Sequence, residues 1–305
     1  MSIINAVQGA LGLVAVWFSY VFFSNAVKNK DKFSEASLAK LSGTGFICNF
    51  FDTLGIGSFA TSTALFRFFK LVPDRLIPGT LNVSMTICVI VEALIFITVI
   101  KVGIVTLIAM VAASVIGAVV GAGIVAHLPE KKIQMGMGIA LLVVDFVFIA
   151  GLLKWMPVGG EAIALEGTKL IIGVVANLIL GALMTIGIGL YAPCMALVYA
   201  LGMSPKVAFP IMMASCAFLM PAAGVKFIKE AAYDIKASIT ITIAGTVGVL
   251  IAAYIVKEMP LEILKWLVVC VILYTAVSML RSAFKNKESE EKTVEIAGAG
   301  TLNPR

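Results

Sequence analysis

Charge is what this chain has least of. Only 13% of its 305 residues are Asp, Glu, Lys or Arg, against 61% hydrophobic. Soluble domains carry roughly 25% charged residues, so a water-soluble globular fold is excluded. Histidine is almost missing: His127 stands alone, just before Pro129 at the end of an apolar run, where a membrane-interface role fits better than catalysis. The five cysteines (Cys48, Cys88, Cys194, Cys216, Cys270) all lie in apolar stretches and form no CxxC pair. That removes a zinc signature and a disulfide framework, and leaves them as small hydrophobes. There is no HExxH, no G-x-S-x-G and no Walker motif. An enzyme is therefore not expected, no cofactor or metal is expected, and ATP is not the energy source. The net charge of +6 is no nucleic-acid footprint. Its Lys and Arg cluster between apolar runs, where membrane topology puts them.

What is present is uninterrupted apolar sequence. Leu170 to Pro205 has no Asp, Glu, Lys, Arg or His over 36 residues. As one helix it would be about 54 Å long, whereas ~20 residues cross the ~30 Å core of a bilayer. The chain must break inside it, and Gly187-Ile188-Gly189-Leu190-Tyr191-Ala192-Pro193-Cys194 is where glycine loosens the backbone and proline removes a donor. Broken backbone at membrane depth is tolerated only against protein or a wet cavity. The stretch reads as half of a transport site.

In chain order, Ile3 to Val27 is a charge-free run of 25 residues with no basic residue before it. It is expected to be a retained span rather than a cleaved signal. Lys28, Lys30, Lys32 and Lys40 then form a basic linker. Leu41 to Val72 is apolar but broken at Asp52-Thr53-Leu54-Gly55-Ile56-Gly57-Ser58. Further spans are expected at 76–100, 102–126, 132–153, 207–228, 235–257 and 261–280, with a loop over 154–169. The tail 281–305 has too little apolar surface to fold.

A repeat organises these spans. At a shift of 132 residues, Gly55, Ile56, Gly57, Ala60, Ala64, Leu65, Pro73 and Pro78 fall on Gly187, Ile188, Gly189, Ala192, Ala196, Leu197, Pro205 and Pro210. One deletion later, Gly117, Ala122, Ile124, Val125 and Pro129 fall on Gly248, Ala253, Ile255, Val256 and Pro260. The domain plan is thus an N-terminal helix and linker (1–40), a first repeat (41–153), a loop (154–169), a second repeat (170–280) and a tail (281–305). If the broken elements cross the membrane, the halves are parallel. If they re-enter, each half has three crossings and the halves are inverted. Re-entry gives 17 basic residues inside and 6 outside, against 15 and 8 for crossing. The positive-inside rule favours the sharper bias. The expected fold is an all-α polytopic membrane protein with one extra N-terminal helix, its N-terminus outside and its C-terminus cytoplasmic.

At the two glycine-rich breaks the chain resembles the sulfite exporter family TauE/SafE, also called the TSUP permeases. The second half carries Gly181, Gly187, Gly189 and Pro193, then Ser204-Pro205 and Ala208. The first carries Gly43, Gly45, Gly55 and Gly57, then Pro73 and Pro78. The family's glycine triplet is reduced to Gly57-Ser58-Phe59 and Gly189-Leu190-Tyr191, and Thr61 stands at the motif proline of the first half. The similarity runs over 41–280. It implies two related halves and a permease of sulfite, sulfonates or other small anions in the cell membrane.

For an anion held at mid-membrane, two broken helices would direct free N–H groups at it. Gly55, Gly57, Gly187 and Gly189 let the backbone approach. Ser58, Thr61, Ser62, Tyr191 and Ser215 add hydroxyls, Asn49 and Asn82 add amides, and Cys194 lies beside the second break. Packing of small residues between helices is the competing use of the same residues. Asp52, Glu92 and Asp145 are intramembrane carboxyls, costly at roughly 2.5–3.5 kcal/mol each and typical of proton relays. They are the candidates for coupling, with a packing hydrogen bond as the alternative. The sequence thus points to a secondary transporter of a small anion, driven by a proton or ion gradient. The alternative is an anion channel or a non-transporting membrane sensor or scaffold. Its expected partners are a small anionic substrate and the lipid bilayer, not nucleic acid, with a homodimer left open.

Overall fold

A computed structural model describes residues 3–54, 56–96, 102–155, 159–255, 266, 269–270 and 272–285. Among these residues the secondary structure is helical, apart from one bridge of extended backbone between Ala162 and Met203. The main helices are α1 (Ile3–Lys28), α2 (Leu38–Thr53), α3 (Ser58–Phe68), α4 (Ile77–Ser84), α5 (Thr86–Phe96) and α6 (Ile104–Val125). They continue as α7 (Glu130–Leu152), α8 (Gly167–Met184), α9 (Tyr191–Ala200), α10 (Pro205–Lys229) and α11 (Ile235–Ile255), with a further helix at 272–285. Seven of the described helices are long and apolar enough to cross a membrane.

Both expected breaks are present. Between α2 and α3 the chain turns through Leu54–Gly57, with Gly57 at φ 87°, a conformation that glycine adopts without a Cβ penalty. Between α8 and α9 it turns through Thr185–Leu190, with Gly187 at φ 108°. Pro193 is not part of this turn. It sits in the first turn of α9, where no backbone donor is required. The other described spans differ from expectation mainly at their ends, and much of the expected span 261–280 lies outside the described residues. α4 and α5 meet at Met85, α8 begins at Gly167 inside the expected loop, and helix 272–285 runs past Arg281 into the expected tail. Gly55, Lys101 and the tail from 286 lie outside the described residues.

Each interrupted pair doubles back. Lys40, in the first turn of α2, places its Nζ 5.3 Å from the ring centre of Phe69, just past α3. Laid end to end, α2 and α3 would separate these residues by about 40 Å. Likewise Lys169, at the start of α8, donates from Nζ to the Leu201 carbonyl just past α9, at 3.1 Å. α8 is long enough to cross by length alone, but α9 brings the chain back to its starting level.

Polar contacts sort the helix ends into two sets. In one set, Tyr233 donates to Asn25 (2.7 Å), Ser34 to the Asp234 carboxylate (3.1 Å) and the Asp234 N–H to Thr80 Oγ1 (2.9 Å). Arg67 bonds Asp74 (2.6 Å) and Ser282 (2.9 Å), and Gln134 donates to Asp74 (2.8 Å). His127 meets Glu230 at 3.2 Å, and Lys226 meets it at 2.9 Å. The Lys226 ammonium holds the Glu230 carboxyl below the usual carboxylate range, and His127 adds to this. In the other set, Gly103 and Leu165 N–H bond Ile163 O and Thr106 Oγ1, and Gly160 and Ser204 bond Met203 O and Ala162 O. The α2–α3 hairpin opens on the first, basic set and the α8–α9 hairpin on the second.

The halves also interlock. α2 packs along α11, and α8 along α6. Glycines let these backbones touch. A Cβ on Gly45 would lie 2.8 Å from Ile241 Cα, and one on Gly181 would lie 2.1 Å from Ser114 O. Small residues at such crossings are how membrane helices approach closely.

Candidate functional site

The two turns share one cavity of about 450 Å³. From the first hairpin it is lined by Asp52, Thr53, Leu54, Ile56, Gly57 and Ser58 through Ala60, and from the second by Gly189 through Ala192 and Met195. α5, α7 and α10 complete the wall with Val89, with Val144, Val147, Phe148, Gly151 and Leu152, and with Met212, Met213 and Cys216. The closeness of the hairpins is direct: a Cβ on Gly189 would lie 3.8 Å from Phe59 Cβ.

The two hairpin tips differ in what they offer. At the second, the backbone N–H groups of Gly189, Leu190, Tyr191 and Ala192 have no hydrogen-bond partner among the described residues. Pro193 has no N–H to add. Four consecutive free donors at a helix N-terminus carry partial positive charge and suit an anion. At the first tip the equivalent position is occupied. The Asp52 carboxylate accepts from the Ser58 N–H at 2.9 Å and from Ser58 Oγ at 2.8 Å, closing the first turn of α3. The two tips therefore differ at one donor: the Ser58 N–H is engaged by Asp52, whereas the matching Leu190 N–H has no partner among the described residues.

A second carboxyl stands at the other tip. Tyr191, the first residue of α9, donates from its hydroxyl to Glu92 Oε2 on α5 at 3.2 Å. Glu92 is 1% exposed and its Oε1 has no partner among the described residues. No Lys, Arg or His appears among the described lining residues.

Of the residues singled out in the sequence, Asp52, Gly57, Ser58, Gly189 and Tyr191 line the cavity, and Glu92 reaches it through Tyr191. Of the others, Gly55 lies outside the described residues and the rest are not among the lining residues. Asn49 donates to Gly45 O and Asn82 to Pro78 O, one helical turn back in each case. Thr61 bonds back to Gly57 O and Ser58 O. Ser62 and Cys194 are fully buried, and Ser215 accepts from Asn177 at 3.0 Å, joining α8 to α10. Gly187 faces Met137 and Leu81. Asp145 is buried on α7 with Oδ1 unpartnered, beside lining residue Val144 but not itself on the surface.

Sequence reasoning missed the soft side of the cavity. Met184, Met195, Met212, Met213 and Cys216 line it together with Phe59 and Phe148. Methionine is common core filler, so only the assembled wall distinguishes it. Cys216 Sγ lies 3.8 Å from Met184 Sδ.

Comparison with curated proteins and with solved structures gave no match. A family model described as sulfite exporter TauE/SafE matches residues 2–146 and 170–302, nearly the whole chain in two segments. The gap between them contains the loop that separates the two interrupted pairs. Chain-long similarity, two hairpins and a shared cavity agree, and the chain belongs to the sulfite exporter TauE/SafE family.

Proposed function

We propose that this chain is a proton-coupled secondary transporter of a small organic or sulfur-containing anion, bound between the hairpin tips. The observation that carries the reading is the row of free N–H groups from Gly189 to Ala192, opening into a cavity lined by both hairpins. Neutral donors without a Lys or Arg suit a ligand that must also leave. The cavity volume of about 450 Å³ falls among small-molecule pockets of roughly 300–1,000 Å³. A bare oxyanion would leave most of it empty. An anionic head at Gly189–Ala192 with an apolar or thioether-sized body against Met184, Met195, Met212 and Phe148 fills it better.

Asp52 and Glu92 beside such a head would repel it when ionised. Protonation of each carboxyl removes its share of the repulsion, so proton and anion bind together. The two hairpins opening on opposite helix-end sets support inverted repeats, with alternating access by rocking one half on the other. The basic set would face the cytoplasm by the positive-inside rule, which puts the N-terminus outside in a plasma-membrane setting.

Purified protein is tested with sulfite, methanesulfonate, 2-aminoethanesulfonate and short carboxylates. A ligand of the folded state raises the melting temperature. In proteoliposomes, flux of the same anion should saturate and should rise when an inward proton gradient is imposed. Non-saturating conductance would point to a channel, and no stabilisation by any of these anions would remove the reading.

A further inference from the structure

One of the two interfaces between the halves is polar along its length. On α4 and α5, Thr80, Ser84, Cys88 and Glu92 recur every fourth residue and so lie on one face. On α11, Asp234, Ser238, Thr242 and Thr246 do the same, starting from the residue that precedes the helix. The two stripes are paired rung by rung. The Asp234 N–H donates to Thr80 Oγ1 at 2.9 Å, Thr242 Oγ1 donates to Ser84 O at 2.8 Å, and Cys88 Sγ lies 3.7 Å from Thr246 Oγ1. Thr80, Ser84, Cys88 and Ser238 are fully buried. The seam starts at Asp234, on the basic set of helix ends, and finishes at Glu92, beside the cavity.

Packing alone does not require this. The repeat places α10 and α6 in the equivalent relation, and they also pack together. There the matching positions are Met212, Cys216, Met220 and Gly224 on α10, and Gly103, Leu107, Val111 and Val115 on α6. The same kind of interface is thus built from apolar residues in one place and from hydroxyls with a carboxyl at each end in the other. Two atoms in the polar version are buried without a partner: Ser238 Oγ and Glu92 Oε1. A buried group left unbonded costs about 1–3 kcal/mol. Both belong to this seam, and both need a further donor or acceptor.

The cavity does not reach the basic set of ends. Its α7 wall runs from Val144 to Leu152, the far end of a helix whose start, at Gln134, bonds Asp74 on the basic set. Glu92 therefore reaches the cavity through Tyr191 on one side and ends the seam on the other.

We infer that this seam conducts protons between the basic face and Glu92, with Asp234 at its mouth and Ser238 as a relay whose hydroxyl bridges to single waters. Side chains one turn apart have Cβ atoms ~5–6 Å apart, a gap that one water spans with hydrogen bonds at both ends. A proton taken from solution at Asp234 moves along the hydroxyls, each accepting one proton and donating another. It ends on the Glu92 carboxylate as a neutral acid, and no other species is consumed. The inference rests on the proton-coupled reading of the cavity.

The test uses the full chain in proteoliposomes loaded with a pH-reporting dye. Sulfite is added outside, and equal potassium on both sides with valinomycin holds the membrane potential at zero. Wild type should take up protons faster than protein-free vesicles. Glu92→Gln should fall to the protein-free baseline. So should the near-isosteric pair Ser238→Ala with Thr242→Val, while Thr242→Ser keeps its hydroxyl and should retain uptake. Leu107→Ala in the apolar interface should leave uptake unchanged. No protein-dependent uptake, or uptake equal to wild type in the Ser238→Ala, Thr242→Val pair, overturns the seam. If that pair unfolds, failure of Ser238→Ala alone to slow uptake does the same. Saturable sulfite flux with no proton uptake would discard the seam while leaving the carrier standing.

Discussion

Gly181→Ala should yield little correctly folded protein, although it adds a single methyl group. That methyl would lie 2.1 Å from the Ser114 carbonyl oxygen and 2.8 Å from Ser114 Cα, both backbone atoms of α6. A rotamer change relieves neither contact, so α8 must move away from α6 by about an ångström along the whole crossing. Gly117 and Gly121 enforce the same approach from the other side: an added Cβ would run into Leu178 O at the first and lie 2.6 Å from Thr185 Oγ1 at the second. Overpacking a close-packed core costs about 1–3 kcal/mol when side chains can yield. Here only backbone could yield, and the expected loss is at or above the top of that range. Gly12→Ala on α1 is the control, because nothing lies within 4 Å of the added Cβ. Thermal unfolding of both variants in the same detergent checks the contrast. Melting temperatures within a degree of each other would contradict the backbone contact.

Asp52 has two roles, and two substitutions separate them. Asp52→Ala removes the acceptor for the Ser58 N–H and hydroxyl. It should loosen the start of α3 at a cost of about 0.5–2 kcal/mol, as lost helix caps do. Asp52→Asn keeps an oxygen acceptor for the Ser58 N–H, so the hairpin should survive with nearly wild-type melting. What Asn cannot do is take up and release a proton. Loss of a positioned proton carrier costs on the order of 10² in steps that depend on it, so proton-driven flux should collapse in Asp52→Asn. Exchange of labelled anion at equal pH on both sides should persist. Flux that still responds fully to a pH gradient in Asp52→Asn would reduce Asp52 to a cap and leave Glu92 as the carrier.

Much of the fold could be read from particular residues. The charge-free run from Leu170 to Pro205 is too long for one crossing, and Gly187 sits in the turn that results. The repeat pairs Gly57 with Gly189, and both line the cavity. Basic-residue counting favoured re-entry, and Lys40 beside Phe69 and Lys169 on Leu201 are the contacts that re-entry requires. The site was less legible. Small polar residues serve helix packing and ligand binding equally well; Asn49, Thr61 and Asn82 bond locally, and Ser62 is buried away from the cavity. Asp52 gave no sign in sequence that it would bond a residue six positions on across a turn. The Glu92–Tyr191 bond joins residues 99 apart, a pairing that periodicity cannot show. The polar seam was visible as two four-residue periods, but only packing shows that they face each other.

The account depends on the two hairpin tips meeting. Phe59→Cys with Gly189→Cys, in a chain whose native cysteines are replaced, measures this most directly. The relevant Cβ separation of 3.8 Å sits within the ~3.5–4.5 Å that a disulfide spans. Mild oxidation should link the halves, so that a chain cut within the loop 153–166 still migrates as one band until reductant is added. Anion flux should stop with the link and return on reduction. Two separate bands under oxidising conditions would show the tips apart and contradict a shared site.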